Sequence, residues 1–148
     1  MPNVLEQPVI LSGNASRDEM LLSLFNAFEH QKVAAEEALE AMKAAALERE
    51  RTSSTFLGRG LALPHGRTDA LDEIRIAVGI SDAGIPWDED GNRAHLVILL
   101  GVPASMIRDY LLLMQKILRW HKDTKTLDAA GRVIDAASLL SELKSLIS

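Results

Sequence analysis

The sequence lacks cysteine, long hydrophobic runs and any block of basic residues. With no cysteine among its 148 residues, the chain has no disulfide framework, no thiolate nucleophile and no cysteine-based metal site. Its longest apolar run, residues 96–103, is too short to cross a lipid bilayer. Residues 1–13 lack the basic start, the apolar run and the cleavage site of a signal peptide. These absences predict a cytoplasmic protein without membrane insertion.

The charge is mildly acidic and is spread along the whole chain. The 16 basic and 21 acidic residues give a net charge of -5, and no basic cluster is present that would neutralise a nucleic-acid backbone. We therefore predict no nucleic-acid partner. A chain of 148 residues with 47% hydrophobic side chains has the size and composition of one compact domain, which we predict to span residues 1–148.

Helical spacing of apolar side chains predicts four helices. Ser16 begins a capping-box pattern that predicts the first helix at residues 17–29. Strong helix formers predict the second at residues 34–51. Ser105 and Asp135 are the predicted N-caps of the third and fourth helices. The third helix is predicted to bury one broad face, which consists of Tyr110, Leu111, Met114, Ile117, Leu118 and His121.

Period-two patterns and continuous apolar runs predict the strands. Residues 74–80 alternate between large and small side chains, which indicates a strand, and residues 83–92 follow as a turn-rich connection. Residues 95–100 are apolar after the histidine, as is typical of a central strand covered on both faces. Residues 61–63 form a brief strand that ends just before Pro64. Sheet and helices must then form at least two layers.

One histidine has a setting that suits phosphate chemistry. His65 lies between Pro64 and Gly66, at the end of a short apolar strand. An imidazole with the ordinary pKa of about 6.5 is largely neutral near neutral pH, so one ring nitrogen can act as a nucleophile while a hydrogen bond holds the other. A histidine in such a turn can also simply hydrogen-bond a backbone carbonyl. From the residues alone both interpretations stay open.

Groups that could hold a phosphoryl group precede this histidine. Attack on phosphorus depends on positioning and on positive charge near the phosphoryl oxygens. Arg49 offers a planar fork for two parallel hydrogen bonds, and Ser54 and Thr55 offer hydroxyl donors. The alternative for Arg49 and Arg51 is that they are helix C-terminal charges favoured by the helix dipole.

The sequence gives no support for a metal site or a cofactor. His30, His95 and His121 are predicted to be surface, boundary or core residues, and no His-x-x-x-His spacing is present. The acidic turn at residues 88–92 lacks the glutamate that closes an EF-hand loop. We therefore predict neither a metal nor a cofactor.

Several motifs resemble those of a known family. They are Arg49-Glu50, Ser54-Thr55, Gly58-x-Gly60, Ala62-x-Pro64-His65-Gly66, Gly84-Ile85-x-Trp87, and residues 96–103 followed by a leucine-rich helix. In this order they are similar to the enzyme IIA domains of the bacterial phosphoenolpyruvate:sugar phosphotransferase system, of the fructose/mannitol class that includes nitrogen-regulatory enzyme IIA. The resemblance covers nearly the whole chain. It implies a single-domain α/β fold in which a mixed central β-sheet is flanked by helices.

The resemblance also implies a role for individual residues and partners. His65 would be phosphorylated transiently by the phosphocarrier HPr or by its nitrogen-branch counterpart, with Arg49 as the clamp for the phosphoryl group. The downstream partner would be a IIB domain or a regulated transporter or kinase. Because neither a IIB domain nor a transmembrane domain is attached, we expect the nitrogen-regulatory branch rather than a full sugar permease.

One position departs from the pattern of the family. Many members have a second histidine at the start of the helix after the central strand, and this sequence has Tyr110 there. A tyrosine can donate a hydrogen bond to a phosphoryl oxygen but cannot supply an imidazole, so transfer to an acceptor would be slowed or lost. The alternative function is therefore a regulatory binding module that keeps the fold without relaying phosphate. Arg59 would add positive charge to the site if it turned inward, and solvent exposure is the alternative.

Overall fold

The computed structural model describes residues 2–148, so the first residue of the predicted domain lies outside the described part. Its strands are β1 (Asn3–Val4), β2 (Val9–Ile10), β3 (Phe56–Gly58), β4 (Leu61–Ala62), β5 (His65–Arg67), β6 (Arg75–Pro86) and β7 (Arg93–Val102). Its helices are α1 (Arg17–His30), α2 (Glu36–Thr52), α3 (Ile107–Asp123) and α4 (Ala136–Ile147), with a 3-10 turn at Ala104–Met106 before α3. Within these residues no helix is both long and apolar enough to span a lipid bilayer.

The strands form one mixed sheet around an antiparallel central pair. The order is β1-β6-β7-β4-β3, with β2 also paired to β6 and β5 also paired to β7. Strands β4 and β5 run parallel to β7, β1 and β2 run parallel to β6, and β3 runs antiparallel to β4. The mixed sheet that the family resemblance implied is thus confirmed.

Helices cover both faces of this sheet. Successive side chains of a strand point to opposite faces, and the alternate residues Ile76 and Val78 pack in a cluster with residues of α3 and α4. Ala77, between them, belongs to a second cluster with residues of α1 and α2. The expectation that the residue 95–100 strand is covered on both faces is confirmed, because Leu96 and Val97 are both fully buried and fall in different clusters.

The first and last helices begin where their capping residues predict. Ser16 and Glu19 form the reciprocal capping box of α1, and the Asp135 side chain accepts hydrogen bonds from the first backbone amides of α4. The prediction for Ser105 was wrong, because it lies inside the 3-10 turn and α3 begins at Ile107 without a side-chain cap. An extra turn of a different helix type between strand and helix displaces the N-cap of α3 by one residue, from the predicted Ser105 to Met106.

The buried face of α3 is narrower than predicted. Tyr110, Leu113, Ile117 and His121 are buried, at a spacing of three or four residues that keeps one stripe against the sheet. Leu111 and Leu118 were wrongly predicted to share it, since 46% and 37% of their surfaces are exposed. They lie about 100° around the helix from the buried stripe.

The observed strand boundaries differ most from the predicted ones where the strands are irregular. β6 continues to Pro86 through a bulge between Ile80 and Ile85, so the predicted turn at residues 83–86 belongs to a strand. A bulge interrupts the alternation of side chains without ending the strand. His65 was expected just after a strand end, whereas it is the first residue of the separate strand β5.

The β3–β4 turn packs against a distant loop. The backbone of Arg59 at this turn has a φ of 51°, and a Cβ added to Gly131 would lie 1.9 Å from the Arg59 carbonyl oxygen. Gly131 itself has a φ of 87°. A side chain at position 131 is therefore excluded both by the backbone conformation and by the closeness of the two chain segments.

Candidate active site

His65 lies on the face of β5 opposite to the one that Gly66 packs against α2. Gly66 is buried against α2, where an added Cβ would lie 3.4 Å from the Met42 Cε. Since side chains alternate along a strand, His65 and Arg67 point to the opposite face. β5 pairs with β7 in the register His65 to Leu100, and the Leu100 amide donates to the Pro64 carbonyl at 3.0 Å. The strand that precedes α3 therefore fixes the position of the histidine.

Tyr110 lies directly beside His65. The Tyr110 hydroxyl is 3.2 Å from Nδ1 of His65, and the ring centroids are 5.0 Å apart. The same hydroxyl donates to Sδ of Met114, one turn further along α3, at 3.6 Å. Burial raises the pKa of Tyr110, while the positive charges of Arg49 and Arg67 act in the opposite direction. The phenol is therefore neutral near neutral pH.

The environment of His65 favours its neutral form. Its pKa is lowered first by partial burial and next by the positive charge of Arg49. A hydrogen bond with the Leu63 backbone raises the pKa of His65, and Arg67 lowers it further. The net direction is downward from the ordinary value of about 6.5. An imidazole without a proton on one nitrogen is therefore available as a nucleophile under physiological conditions.

Two arginines place positive charge near this site, and neither guanidinium is engaged in another polar contact within residues 2–148. Arg49, at the end of α2, and Arg67, on β5, both influence the pKa values of His65 and Tyr110 electrostatically. Both are exposed, and in residues 2–148 neither guanidinium has a hydrogen bond or an ion pair. Sequence reasoning missed Arg67. The available signal was its position two residues after His65, which puts both on one face if the segment is a strand.

The two predicted hydroxyl ligands have protein partners. The Ser54 hydroxyl donates to the Asp88 carboxylate at 3.3 Å, and the Thr55 hydroxyl donates to the Glu50 carboxyl group. The Thr55 amide donates to Glu50 as well, at 3.1 Å. Their predicted contact with a phosphoryl group stays a prediction.

The remaining candidates make contacts with other groups or lie at the surface. The Arg59 guanidinium donates to the Lys122 carbonyl at 2.7 Å, so it serves the contact between the β3–β4 turn and the end of α3. Nε2 of the buried His121 lies 3.1 Å from the Arg59 carbonyl. His95 Nδ1 lies 3.1 Å from the Asp82 carbonyl, and His30 is the exposed last residue of α1. Among residues 2–148 no group of three or more metal-ligating side chains comes together.

Related sequences share long stretches with this chain. A multiphosphoryl transfer protein of Salmonella typhi is 32% identical over 105 residues, which cover 68% of this chain and 26% of the relative. The chain thus spans about a quarter of the length of that protein. A nitrogen regulatory protein of Bradyrhizobium diazoefficiens is 31% identical over 98 residues, which cover 66% of this chain and 64% of the relative.

Solved structures share the fold at low sequence identity. The crystal structure of nitrogen regulatory protein IIA-Ntr from Neisseria meningitidis has a TM-score of 0.73 at 19% identity, covering 98% of this chain and 96% of that one. The complex of enzyme IIAMTL and phosphorylated enzyme IIBMTL from Escherichia coli has a TM-score of 0.69 at 18% identity, covering 97% and 94%. Both support the mixed sheet flanked by helices. The family model described as phosphoenolpyruvate-dependent sugar phosphotransferase system, EIIA 2, matches residues 5–145, and the chain belongs to this family.

Proposed function

We propose that this protein is a phosphorelay component that accepts a phosphoryl group on His65 from an HPr-like phosphocarrier. The observation that carries the proposal is a half-buried imidazole with a lowered pKa, acted on by the unpaired guanidinium groups of Arg49 and Arg67. Membership of the EIIA 2 family supports phosphotransfer as the general role. His65 then passes the group on, or its phosphorylation state regulates a partner.

The transfer step follows from the charges around the ring. The lone pair of one His65 nitrogen attacks phosphorus, the bond between phosphorus and the donor atom of the carrier breaks, and the electron pair of that bond stays with the donor atom. The transferred group carries negative charge on its oxygens, which Arg49 and Arg67 neutralise. As proposed, this exchange between the carrier and His65 uses no metal or cofactor.

The acceptor atom follows from the contact with Tyr110. Nδ1 of His65 lies 3.2 Å from the phenol oxygen, a hydrogen-bond distance that leaves no space for a phosphoryl group between the two atoms. We therefore assign Nε2 as the nitrogen that is phosphorylated. Nε2 is the ring nitrogen farther from the Cβ, and so the better placed of the two to meet a docked carrier.

The downstream partner is proposed from the relatives. A nitrogen regulatory protein is among them. One structural neighbour, enzyme IIAMTL of Escherichia coli, was solved in complex with phosphorylated enzyme IIBMTL, which supports a IIB domain as the phosphoryl acceptor. We favour the nitrogen-regulatory role, with a regulated transporter or kinase as partner. A cytoplasmic location, where such carriers act, is part of the same proposal.

Phosphorylation of the purified protein tests the assignment. Incubation with phosphoenolpyruvate, enzyme I and HPr, or the nitrogen-branch enzymes, is expected to give an acid-labile phosphate on the wild-type protein and none on His65→Ala. His30→Ala is the control, because His30 is exposed at the end of α1. A His65→Ala protein that is labelled as fast as the wild type would overturn the proposal.

The arginines are tested separately, with a neighbour as control. Arg49→Gln and Arg67→Gln are each expected to slow phosphorylation of His65 by about ten- to hundredfold, the usual effect of losing a charge-assisted hydrogen bond. Arg51→Gln removes the same charge from an exposed side chain that pairs with Glu48, and it should leave the rate unchanged. Equal rates for all three variants would remove both arginines from the mechanism.

The second candidate is a regulatory module that does not relay phosphate, and Tyr110 beside His65 is the observation that favours it. If this is correct, the protein forms no phosphohistidine, or forms one that is not returned to HPr. Rapid and reversible exchange of phosphate with HPr would contradict it.

A further inference from the structure

A cavity of about 580 Å³ lies beside α3, next to the starts of β1 and β6 and the end of α4. Its floor is apolar, because Ile74, Leu113 and Ile147 line it and are each no more than 9% exposed. Leu112, which is 54% exposed, belongs to its rim. Small-molecule sites are concave, mostly apolar clefts of about 300–1,000 Å³ with a few polar groups that orient the ligand. The cavity therefore has the size and the floor of a small-ligand site.

The charged residues of this cavity are separated along α3. Lys116 and Arg119 line it, and within residues 2–148 neither forms an ion pair. Their spacing of three residues makes them neighbours on the helix surface. Asp109, which also lines the cavity, precedes Lys116 by two helical turns, or about 10 Å along the axis. One end of the cavity is therefore cationic and the other acidic.

We propose that this cavity binds a small amphipathic anion, with an apolar body on the floor and a carboxylate or phosphate head at Lys116 and Arg119. The planar guanidinium of Arg119 can donate two parallel hydrogen bonds to either head, and the ammonium group of Lys116 adds a point charge. Asp109 repels an anion, which directs the head to the opposite end of the cavity. A ligand with the same body and a positive head lacks this complementarity.

The cavity is separate from the proposed phosphorylation site. Tyr110, which contacts His65, is not among the residues that line it. At 100° per residue, Lys116 and Arg119 lie about 120° and 180° around α3 from Tyr110. A bound anion thus leaves His65 open to a phosphocarrier. The site goes beyond the proposed phosphorelay, and it holds whether or not His65 is phosphorylated.

Two ligands of opposite charge test the head. Octanoate and octylammonium, which share an octyl-length tail, are titrated into the unphosphorylated full chain below their micelle concentrations while backbone amide NMR shifts are recorded. Octanoate is expected to bind, with its largest shifts at residues 112–119 and near Ile74 and Ile147. Octylammonium is expected to bind about tenfold more weakly or not at all. Equal binding of the two, no binding of octanoate, or shifts confined to residues outside the cavity would overturn the proposal.

Octyl phosphate distinguishes the two possible heads. Tighter binding of octyl phosphate than of octanoate identifies a phosphate ligand, and the reverse order identifies a carboxylate. Either order supports the proposal, provided that both anions bind more tightly than octylammonium.

The cationic end is tested with a matched pair of double variants. Lys116→Gln/Arg119→Gln is expected to weaken octanoate binding by about three- to tenfold, the effect of losing two partly exposed charge contacts. Lys122→Gln/Lys125→Gln removes the same charge from exposed residues outside the cavity and should leave the affinity unchanged. Equal losses in both would mean that octanoate responds only to the overall charge, and this would overturn the site.

The apolar part is tested with two neighbouring leucines. Leu112→Gln, at the rim, is expected to weaken octanoate binding by about two- to fivefold because it removes apolar contact area. Leu111→Gln is the control, since Leu111 is 46% exposed and lies outside the cavity. Melting temperatures of the two variants check that both fold. Octanoate affinities that are equal in the two folded variants would contradict the placement of the apolar body.

Discussion

His65 is held neutral by burial and by positive charge, and these two causes have a measurable consequence in its titration. Its folded pKa lies below the unfolded value of about 6.5, so the ring stays uncharged as the pH falls through that value. As the pH falls, His65 in the unfolded chain therefore becomes protonated at a higher pH than His65 in the folded protein. Stability is thus unaffected by this group above the unfolded pKa and decreases as the pH falls from there toward the folded pKa.

We therefore predict that phosphorylation of His65 keeps its full rate below the pH at which a free imidazole is half protonated. The rate should fall only as the pH passes through the lower folded pKa, because the protonated ring has no lone pair on Nε2. NMR titration of the His65 ring checks this, together with the rate at matched pH values. Arg67→Gln should move the midpoint upward, and a wild-type midpoint at or above that of a model peptide would contradict the prediction.

At the scale of residues, sequence reasoning could identify groups but not their partners. The family resemblance implied that Tyr110 lies near the histidine, and the structure has these two rings in contact. Arg67 was missed because a three-residue strand leaves no periodicity to recognise. The partners of Ser54 and Thr55 could not be foreseen either, since Asp88 lies 34 residues away from Ser54 and the side-chain direction of Glu50 depends on how α2 packs.

The junction between α2 and β3 is built around a buried acid. Glu50 is 3% exposed and is the one buried acidic residue among residues 2–148. It lies in the last turn of α2, where the helix dipole disfavours negative charge. The amide and hydroxyl of Thr55 donate to its carboxyl group, and the Thr55 carbonyl accepts from Leu63 at 3.1 Å. The acid therefore links the end of the arginine-bearing helix to the strand that leads to His65.

Thr55→Val is predicted to destabilise the protein by about 1–3 kcal/mol, because it leaves a buried carboxyl oxygen without its hydroxyl donor. Thr55→Ser keeps the hydroxyl and should retain most of the stability. Urea unfolding of the two variants and the wild type gives the comparison. If valine and serine had equal effects, the hydroxyl contact would not be a source of stability.

At the scale of elements, length and capping decided what the sequence could predict. α1 has a capping box and five buried apolar residues, and its prediction was correct to within one residue at its end. The short strands β3 and β5 depend on pairing with β4 and β7, which a local pattern does not contain. Ser105 was misassigned because a serine is equally suited to cap a helix or to sit in the turn before it.

Across the whole molecule, the contact between Gly131 and the β3–β4 turn joins segments that are far apart in sequence. The loop before α4 lies against the Arg59 backbone, and the Arg59 side chain reaches the end of α3. This contact closes the molecule on the side where the α3–α4 layer meets the edge of the sheet.

Gly131→Ala is predicted to cost about 1–3 kcal/mol more than Gly91→Ala. Both glycines have a positive φ, of 87° and 81°, so both variants strain the backbone. An alanine at position 91 meets nothing within 4 Å, whereas one at position 131 meets the Arg59 backbone at 1.9 Å. Thermal or urea unfolding measures the difference, and equal losses would mean that the loop moves away without cost.

The overall arrangement was the part best predicted from the sequence. The apolar run at residues 95–100 required cover on both faces, and the structure provides α1 and α2 on one side and α3 and α4 on the other. The extension of β6 to Pro86 was not predictable, because the bulge before Ile85 breaks the alternation and Gly84 and Pro86 are typical of turns.

Gly66 has a consequence for how this protein can vary. Its position against Met42 brings the strand of the proposed nucleophile close to α2, the helix that carries Arg49 in its last turn. A methyl group at position 66 would just fill the contact distance, whereas any branched side chain would push the helix outward. A larger residue at position 66 would thus also change the distance between His65, the proposed nucleophile, and Arg49. A substitution there would therefore affect the packing of β5 against α2 and the reactivity of His65 together.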